Sequence, residues 1–138
     1  MSSYQCVKTL SVPAGEDLND RRYHALTINA SGQFEMADAA GEVVHGVLWE
    51  DPGTIDAGRA VTIMDVAAGG IGLVVAGAAI VAGQLLVASA TDGRVAGVAN
   101  VGALAADQVA FGVALEAAGA AGDIIRFKAG HIAGPHSA

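Results

Sequence analysis

Two glutamates stand at matched places in this chain. Glu50 and Glu116 each sit inside a Gly-Val-x-x-Glu-x-x-Gly phrase, at residues 46–53 and 112–119. A pair of carboxylates is the equipment of general acid–base work, as in glycoside hydrolysis, where one gives a proton and the other attacks or activates water. The same acids have a plainer use. A Glu at a strand end accepts backbone N–H groups from the next turn, or faces solvent. The acid is repeated together with its glycines, so fold geometry is the better account: duplicated halves keep what the turn needs.

The four histidines add no second centre. His24 shares a strand side with Leu26 and Ile28. His45 precedes the repeated glycine, where the second copy has Phe111, so that position calls for bulk and reads as core or half-buried. His131 and His136 lie in or beside a loose tail, at a spacing without supporting acids, and read as solvent-exposed. No Gly-x-Ser-x-Gly, Ser-x-x-Lys or Cys/His nucleophile pattern occurs. Gly69-Gly70-Ile71-Gly72 resembles a phosphate loop but lacks the Lys-Ser/Thr that would follow it. Arg21-Arg22, near Asp17 and Asp20, reads as a self-paired solvated turn or as a dock for an acidic partner. Trp49, the only tryptophan, is either a core plug or an interface anchor. The reading is of a chain that is not an enzyme, with no cofactor and no metal.

The elements that would position these residues are strands. Residues 4–12, 23–29, 33–37, 43–49 and 60–65 alternate or carry β-rich runs, as do 71–76, 79–81, 84–89, 94–99, 109–115 and 123–128. Gly turns separate them, among them Ser31-Gly32, Asp51-Pro52-Gly53 and Asp92-Gly93. Residues 101–107 are the one place for a short helix. No helical run of βαβ length separates two strands. The expectation is all-β: a small barrel or sandwich of about ten short strands built from two similar halves, with at most one or two short helices. Residues 1–13 read as an extended arm or edge strand, 14–129 as the body with repeats at about 14–65 and 79–128, and 130–138 as a flexible tail.

Composition narrows the role. Apolar residues make up 53% of the 138 but aromatics only 4%, so the core is built of small side chains and buries little area per residue. Charged residues are 15%, low for a free-standing surface, which points to a covered one. The net charge of −7 with no basic run disfavours nucleic acid and anionic membranes. The single Cys6 permits no internal disulfide. The opening Met-Ser-Ser-Tyr-Gln-Cys has neither a basic start nor an apolar core, so no secretory signal is expected. Val66 to Thr91 is free of charge and long enough to span a bilayer. Gly69, Gly70, Gly72, Gly77 and Gly83 interrupt it, however, and Asp65 and Asp92 bound it where a span wants Lys or Arg. Buried strands are the better reading.

Four stretches together resemble the C-terminal signature of tailed-phage capsid cement, or head decoration, proteins. They are Ala79-Ile80-Val81-Ala82-Gly83-Gln84-Leu85-Leu86; Ala90-Thr91-Asp92-Gly93-Arg94-Val95; Phe111-Gly112-Val113-Ala114-Leu115-Glu116-Ala117-Ala118; and Ala121-Gly122-Asp123-Ile124-Ile125-Arg126-Phe127. Residues 79–128 carry the resemblance, Gly41 to Thr62 match more loosely, and the tail after Lys128 is longer than the pattern needs. The resemblance implies a bacteriophage virion protein, made in the host cytoplasm, that stabilises the outer capsid surface by clamping neighbouring major capsid protein subunits. It implies a homo-oligomer, a trimer in preference to a dimer. The residues expected at contacts are Tyr4, Val7 and Leu10 of the arm, and Trp49 with Pro52 and Gly53. The alternatives are another virion accessory, such as a head-fibre base, or a small oligomeric β-barrel enzyme with a site at the subunit boundary.

Overall fold

The computed structural model describes residues 7–89, 92–105 and 108–133. Its strands are β1 (Thr9–Pro13), β2 (Ala25–Ile28), β3 (Phe34–Met36), β4 (Gly46–Leu48) and β5 (Ala60–Asp65), then β6 (Ile71–Val75), β7 (Leu85–Ala88), β8 (Val95–Val98), β9 (Val109–Ala114) and β10 (Ile124–Ala133). They form two five-stranded sheets, ordered β1-β5-β4-β2-β3 and β6-β10-β9-β7-β8. This is one topology written twice, and the fold is all-β as expected.

The register repeats residue by residue. Leu26 faces Gly46 as Leu86 faces Gly112. Leu48 faces Ile63 as Ala114 faces Phe127, and Pro13 faces Ala60 as Val75 faces Ile124. Each sheet curls until its first and third strands touch at one parallel bridge, Ala14 with Phe34 and Ala76 with Val95. Each half is therefore a small, partly closed barrel, which leaves little unpaired sheet edge.

Local chemistry sets the ends of these strands. Asn29 Oδ1 accepts the N–H groups of Ser31 (2.9 Å) and Gln33 (3.0 Å), an Asx turn that brings β3 back beside β2 with Gly32 at φ 77°. Asp65 Oδ1 accepts from Ala67 N–H (3.0 Å) and starts a 3-10 turn over Val66–Ala68. In place of the short helix expected over 101–107, the described residues 101–105 give a 3-10 turn, Val101–Ala103, capped by Asn100 Oδ1, and 106 and 107 lie outside the described residues. The expected strand at 79–81 is reduced to one bridge, between Ile80 and Ala118. The C-terminal strand runs on to Ala133 by pairing Ile132 with Ala110 and Ala133 with Val109 across a bulge. Residues 134–138 lie outside the described residues.

Among the described residues, three apolar clusters hold the fold together. The first barrel has its own interior, built on Ala14, Leu18, Leu26, Phe34, Leu48, Val61 and Ile63. The interior of the second, with Val74, Leu86, Ile125 and Phe127, is continuous with residues of the first barrel's outer face, Ala25, Val47 and Met64. That merged cluster is the main core and joins the halves. A smaller one, with Leu85, Val87, Leu104 and Ala110, lies on the second barrel's other side. The uncharged run from Val66 is spent on β6, β7 and turns; among the described residues no helix is long and apolar enough to cross a membrane.

Candidate functional site

Each of the twin glutamates is bound within its own barrel. Glu50 Oε1 accepts the Thr62 N–H (3.1 Å), and Glu116 Oε2 accepts from Arg126 Nε (2.8 Å). Thr62 and Arg126 hold the same place in the two barrels, since Trp49 N–H donates to Thr62 O and Leu115 N–H to Arg126 O. The repeated acid thus ties its own strand end to the strand beside it. The repeated glycine before it has a packing role. A Cβ on Gly46 would lie 2.6 Å from Ile63 Cδ1, and one on Gly112 would lie 2.6 Å from Lys128 O and 2.7 Å from Phe127 Cδ2. Both positions must stay bare so that the neighbouring strand's large side chain can cross them.

His24 is buried, with Nδ1 3.2 Å from Arg22 O. Burial holds its pKa below the ordinary 6.5, and the Arg21 and Arg94 cations push the same way. His45 is half-buried and is also lowered, by burial and then by the nearby His131. His131 belongs to β10 rather than to a tail, and its Nε2 lies 3.0 Å from Val44 O of the other half. His136 is outside the described residues. Among the described residues no group of three His, Cys, Asp or Glu is placed to hold a metal ion.

The most developed surface feature surrounds Trp49. Its ring meets Tyr23 edge-on, with centroids 5.5 Å apart, and the Arg22 guanidinium lies 4.6 Å from the Tyr23 ring centre. Arg22 Nε also donates to Trp49 O (3.2 Å), so Arg22 braces this stack instead of pairing with Asp17 or Asp20. Asp17 Oδ1 accepts from Asn19 and Ile55 N–H, and Asp51 Oδ1 from Asp20 and Gly53 N–H. Tyr23 has φ 67°, a conformation costing about 1–3 kcal/mol in a non-glycine residue. Bonds from both halves hold it there: its N–H donates to Leu48 O (2.7 Å) and its carbonyl accepts from Val75 N–H (3.1 Å). Beyond Trp49 lies a cavity of about 280 Å³, lined also by Ile71, Gly72, Leu73 and Arg126.

The expected contact residues are scattered about this feature. Tyr4 lies outside the described residues. Val7 is half-buried and, like Trp49, packs against the main core. Leu10 is 41% exposed on β1, directly opposite Ile63, and so falls on the sheet face away from Trp49. Pro52 and Gly53 are half-buried in the loop after Trp49. Sequence reasoning passed over Arg22 and Tyr23 as parts of one stack, and over Ile71, Leu73, Leu115, Ile124 and Arg126. A signal for Ile71, Leu73 and Ile124 existed. Aligning 71–75 with 9–13 and 124–128 with 60–64 shows aliphatic residues where the first half has Thr, Ser and Ala.

No protein-family model matches the chain, and no curated protein matches it. Among solved structures it is similar to the head fiber gp8.5 N base of bacteriophage phi29. The two share 18% identity at a TM-score of 0.59, over 89% of this chain and 93% of that one. The shared feature is the fold.

Proposed function

We propose that this chain is a non-enzymatic structural protein of a tailed-phage virion, seated on the outside of the head. The observation that carries the reading is the fold held in common with a phage head-fibre base over nearly the full length of both chains. The main core supports it: the two barrels are fused through buried Ala25, Val47 and Met64, which makes one stiff body suited to bearing load. In this reading the protein clamps neighbouring major capsid subunits by covering apolar and backbone surface across their seams. Each copy's contribution is multiplied by the symmetry of the shell. It works as a homo-oligomer, a trimer in preference to a dimer. The contact residues are Val7, Leu10 and the Trp49–Pro52–Gly53 corner, with Tyr4 beyond the described segment.

A second reading, a head-fibre base, is favoured by the identity of the structural neighbour itself. Mixing the purified protein with expanded, undecorated heads and imaging them by cryo-electron microscopy separates the two. Added density bridging subunits at symmetry axes supports the clamp. Density standing off the shell at single attachment points supports the fibre base. Heads that gain no density at all would sink both.

A further inference from the structure

The shared ladder leaves matching backbone groups open at one edge of each barrel. On the second barrel Ala129 N–H donates to Gly70 O (2.9 Å) and Ala76 N–H to Asp123 O (2.8 Å), so Gly70, Gly72, Val74 and Ala76 face β10. The N–H and C=O groups of Ile71, Leu73 and Val75 point the other way. Val75 N–H is taken by Tyr23 O (3.1 Å), and among the described residues nothing bonds the backbone of Ile71 or Leu73 on that side. The matched edge on β1 opens at Thr9 and Ser11, its ladder fixed by Asp65 N–H to Lys8 O and Ala14 N–H to Arg59 O, each 2.8 Å. The surroundings differ. β1 is exposed and polar at both positions, preceded by Lys8 and ended by Pro13, devices that keep an edge from pairing. β6 has none of them. Ile71 and Leu73 are half-buried, and their open groups run along the cavity walled by Trp49 and Arg126.

We propose that this edge accepts an extended segment of another protein, added as a further strand beside β6, with one uncharged apolar side chain in the cavity. The open backbone identifies the occupant. Donors and acceptors repeating at a two-residue interval are matched by an extended polypeptide. The cavity sets the side chain. Its walls are the Trp49 ring, Ile71 and Leu73, and the Arg126 charge is already met by Glu116 at 2.8 Å, so no carboxylate is called for. The site is short, because Tyr23 closes it at Val75 and Gly70, at φ 95°, turns the chain at the other end. A lone strand therefore fits, whereas a second copy offering β1 would bring the barrel wall to which β1 is bonded. The inference goes beyond the virion reading, since it assigns an acceptor edge and is tested without heads.

Amide exchange and peptide titration, both followed by NMR on the full chain, test it. In the free protein the Ile71 and Leu73 amides exchange about tenfold or more faster than those of Gly72 and Val74. The probes are acetylated and amidated pentapeptides Thr-Val-X-Val-Thr, with X as Phe, Leu, Ala or Glu. The Phe peptide shifts the Ile71 and Leu73 amide signals and slows their exchange. It binds about tenfold more tightly than the Ala peptide, and the Glu peptide binds most weakly. Methylating every backbone nitrogen of the Phe peptide abolishes binding. Trp49→Ala removes the preference for Phe over Ala. Leu73→Pro deletes an outward N–H that the ladder does not use and weakens every peptide; should that variant fail to fold, the methylated peptide makes the same test. Slow exchange at Ile71 and Leu73 in the free protein would show the edge already covered. Protection independent of concentration assigns it to this chain, protection that grows with concentration assigns it to a second copy, and either overturns the proposal. So does a Phe peptide that moves neither amide at about 1 mM, or that binds equally well when methylated. The virion reading holds or fails on head imaging, so the two are judged apart.

Discussion

Phe127 and Ile63 occupy one position in two copies of one barrel, yet they serve different structures. Ile63 closes an interior that belongs to the first barrel alone. Phe127 meets Phe111 edge-on at 5.4 Å and belongs to the cluster that also takes in Val47 and Met64 from the other half. Duplication supplied two equal folding units, and asymmetric packing then made the second one's interior the joint between them. A chain organised this way should unfold as one unit, with its stability concentrated in the second half.

The largest effect expected from breaking that comparison is Phe127→Ala. Removing a fully buried ring costs about 3–5 kcal/mol, a large part of the 5–15 kcal/mol typical of a domain. Ile63→Ala, in an interior of similar burial but without the joint, falls toward the low end of about 2–5 kcal/mol. Denaturant unfolding followed by circular dichroism ranks the two. An Ile63→Ala cost equal to or above that of Phe127→Ala would mean that the shared cluster is not the centre of stability.

The next effect sharpens the same contrast at the repeated glycines. A Cβ at Gly112 runs into a backbone carbonyl at 2.6 Å and a stiff ring edge at 2.7 Å, whereas one at Gly46 meets the end of the Ile63 side chain at 2.6 Å and a carbonyl, Met64 O, only at 3.1 Å. An isoleucine methyl can swing aside and a strand carbonyl cannot. Gly112→Ala should therefore destabilise by about 1–3 kcal/mol and Gly46→Ala by less. Paired thermal melts check this, and equal shifts would argue against the packing account of the motif.

These contrasts also show how much could be read from the chain itself. Strand positions, the all-β class and the doubling were legible because alternation and Gly turns are local signals. The role of Gly46 and Gly112 was not, since a glycine kept for a turn and one kept for a crossing ring look alike in sequence. Strand partners were hidden as well. β1 pairs with β5 rather than with β2, a choice made by long-range packing. The bridge at Ile80 shows the limit from the other side, because a β-branched run fit for a strand found only one partner residue, Ala118. Residues 130–133 read as tail because Gly130 breaks the pattern; the bulge absorbs that glycine at φ 153° and pairing resumes. At the candidate surface Trp49 stood out by its rarity, whereas Arg126 and its aliphatic neighbours emerge only when the two halves are laid over one another.

Acid sensitivity should also divide between the halves. His24 is held neutral by burial, so its folded pKa lies below 6.5. As pH falls through about 6.5 the unfolded chain takes up a proton that the folded chain refuses, and stability drops. His45 behaves the same way, its protonation opposed by burial and by His131. Melting temperature should decline between pH 7.5 and pH 5.5 in the wild type and decline less in His24→Gln. An unchanged slope in that variant would place the sensitivity elsewhere.

The smallest effects belong to the two glutamates. Glu116 and Arg126 form an ion pair with side chains 40% and 53% exposed, where solvent screens most of the attraction. Glu50 needs only an acceptor oxygen for Thr62 N–H, which glutamine also supplies. Glu50→Gln and Glu116→Gln should therefore each stay within about 0.5 kcal/mol of the wild type. A catalytic pair would behave otherwise, with either change abolishing an activity at unaltered stability. A screen for hydrolysis of glycosides and nucleotides by the wild type and both variants decides between these accounts. A turnover lost in either variant would restore the acids as a reactive centre, and equal inactivity of all three would leave them as the ties that hold each strand end to its neighbour.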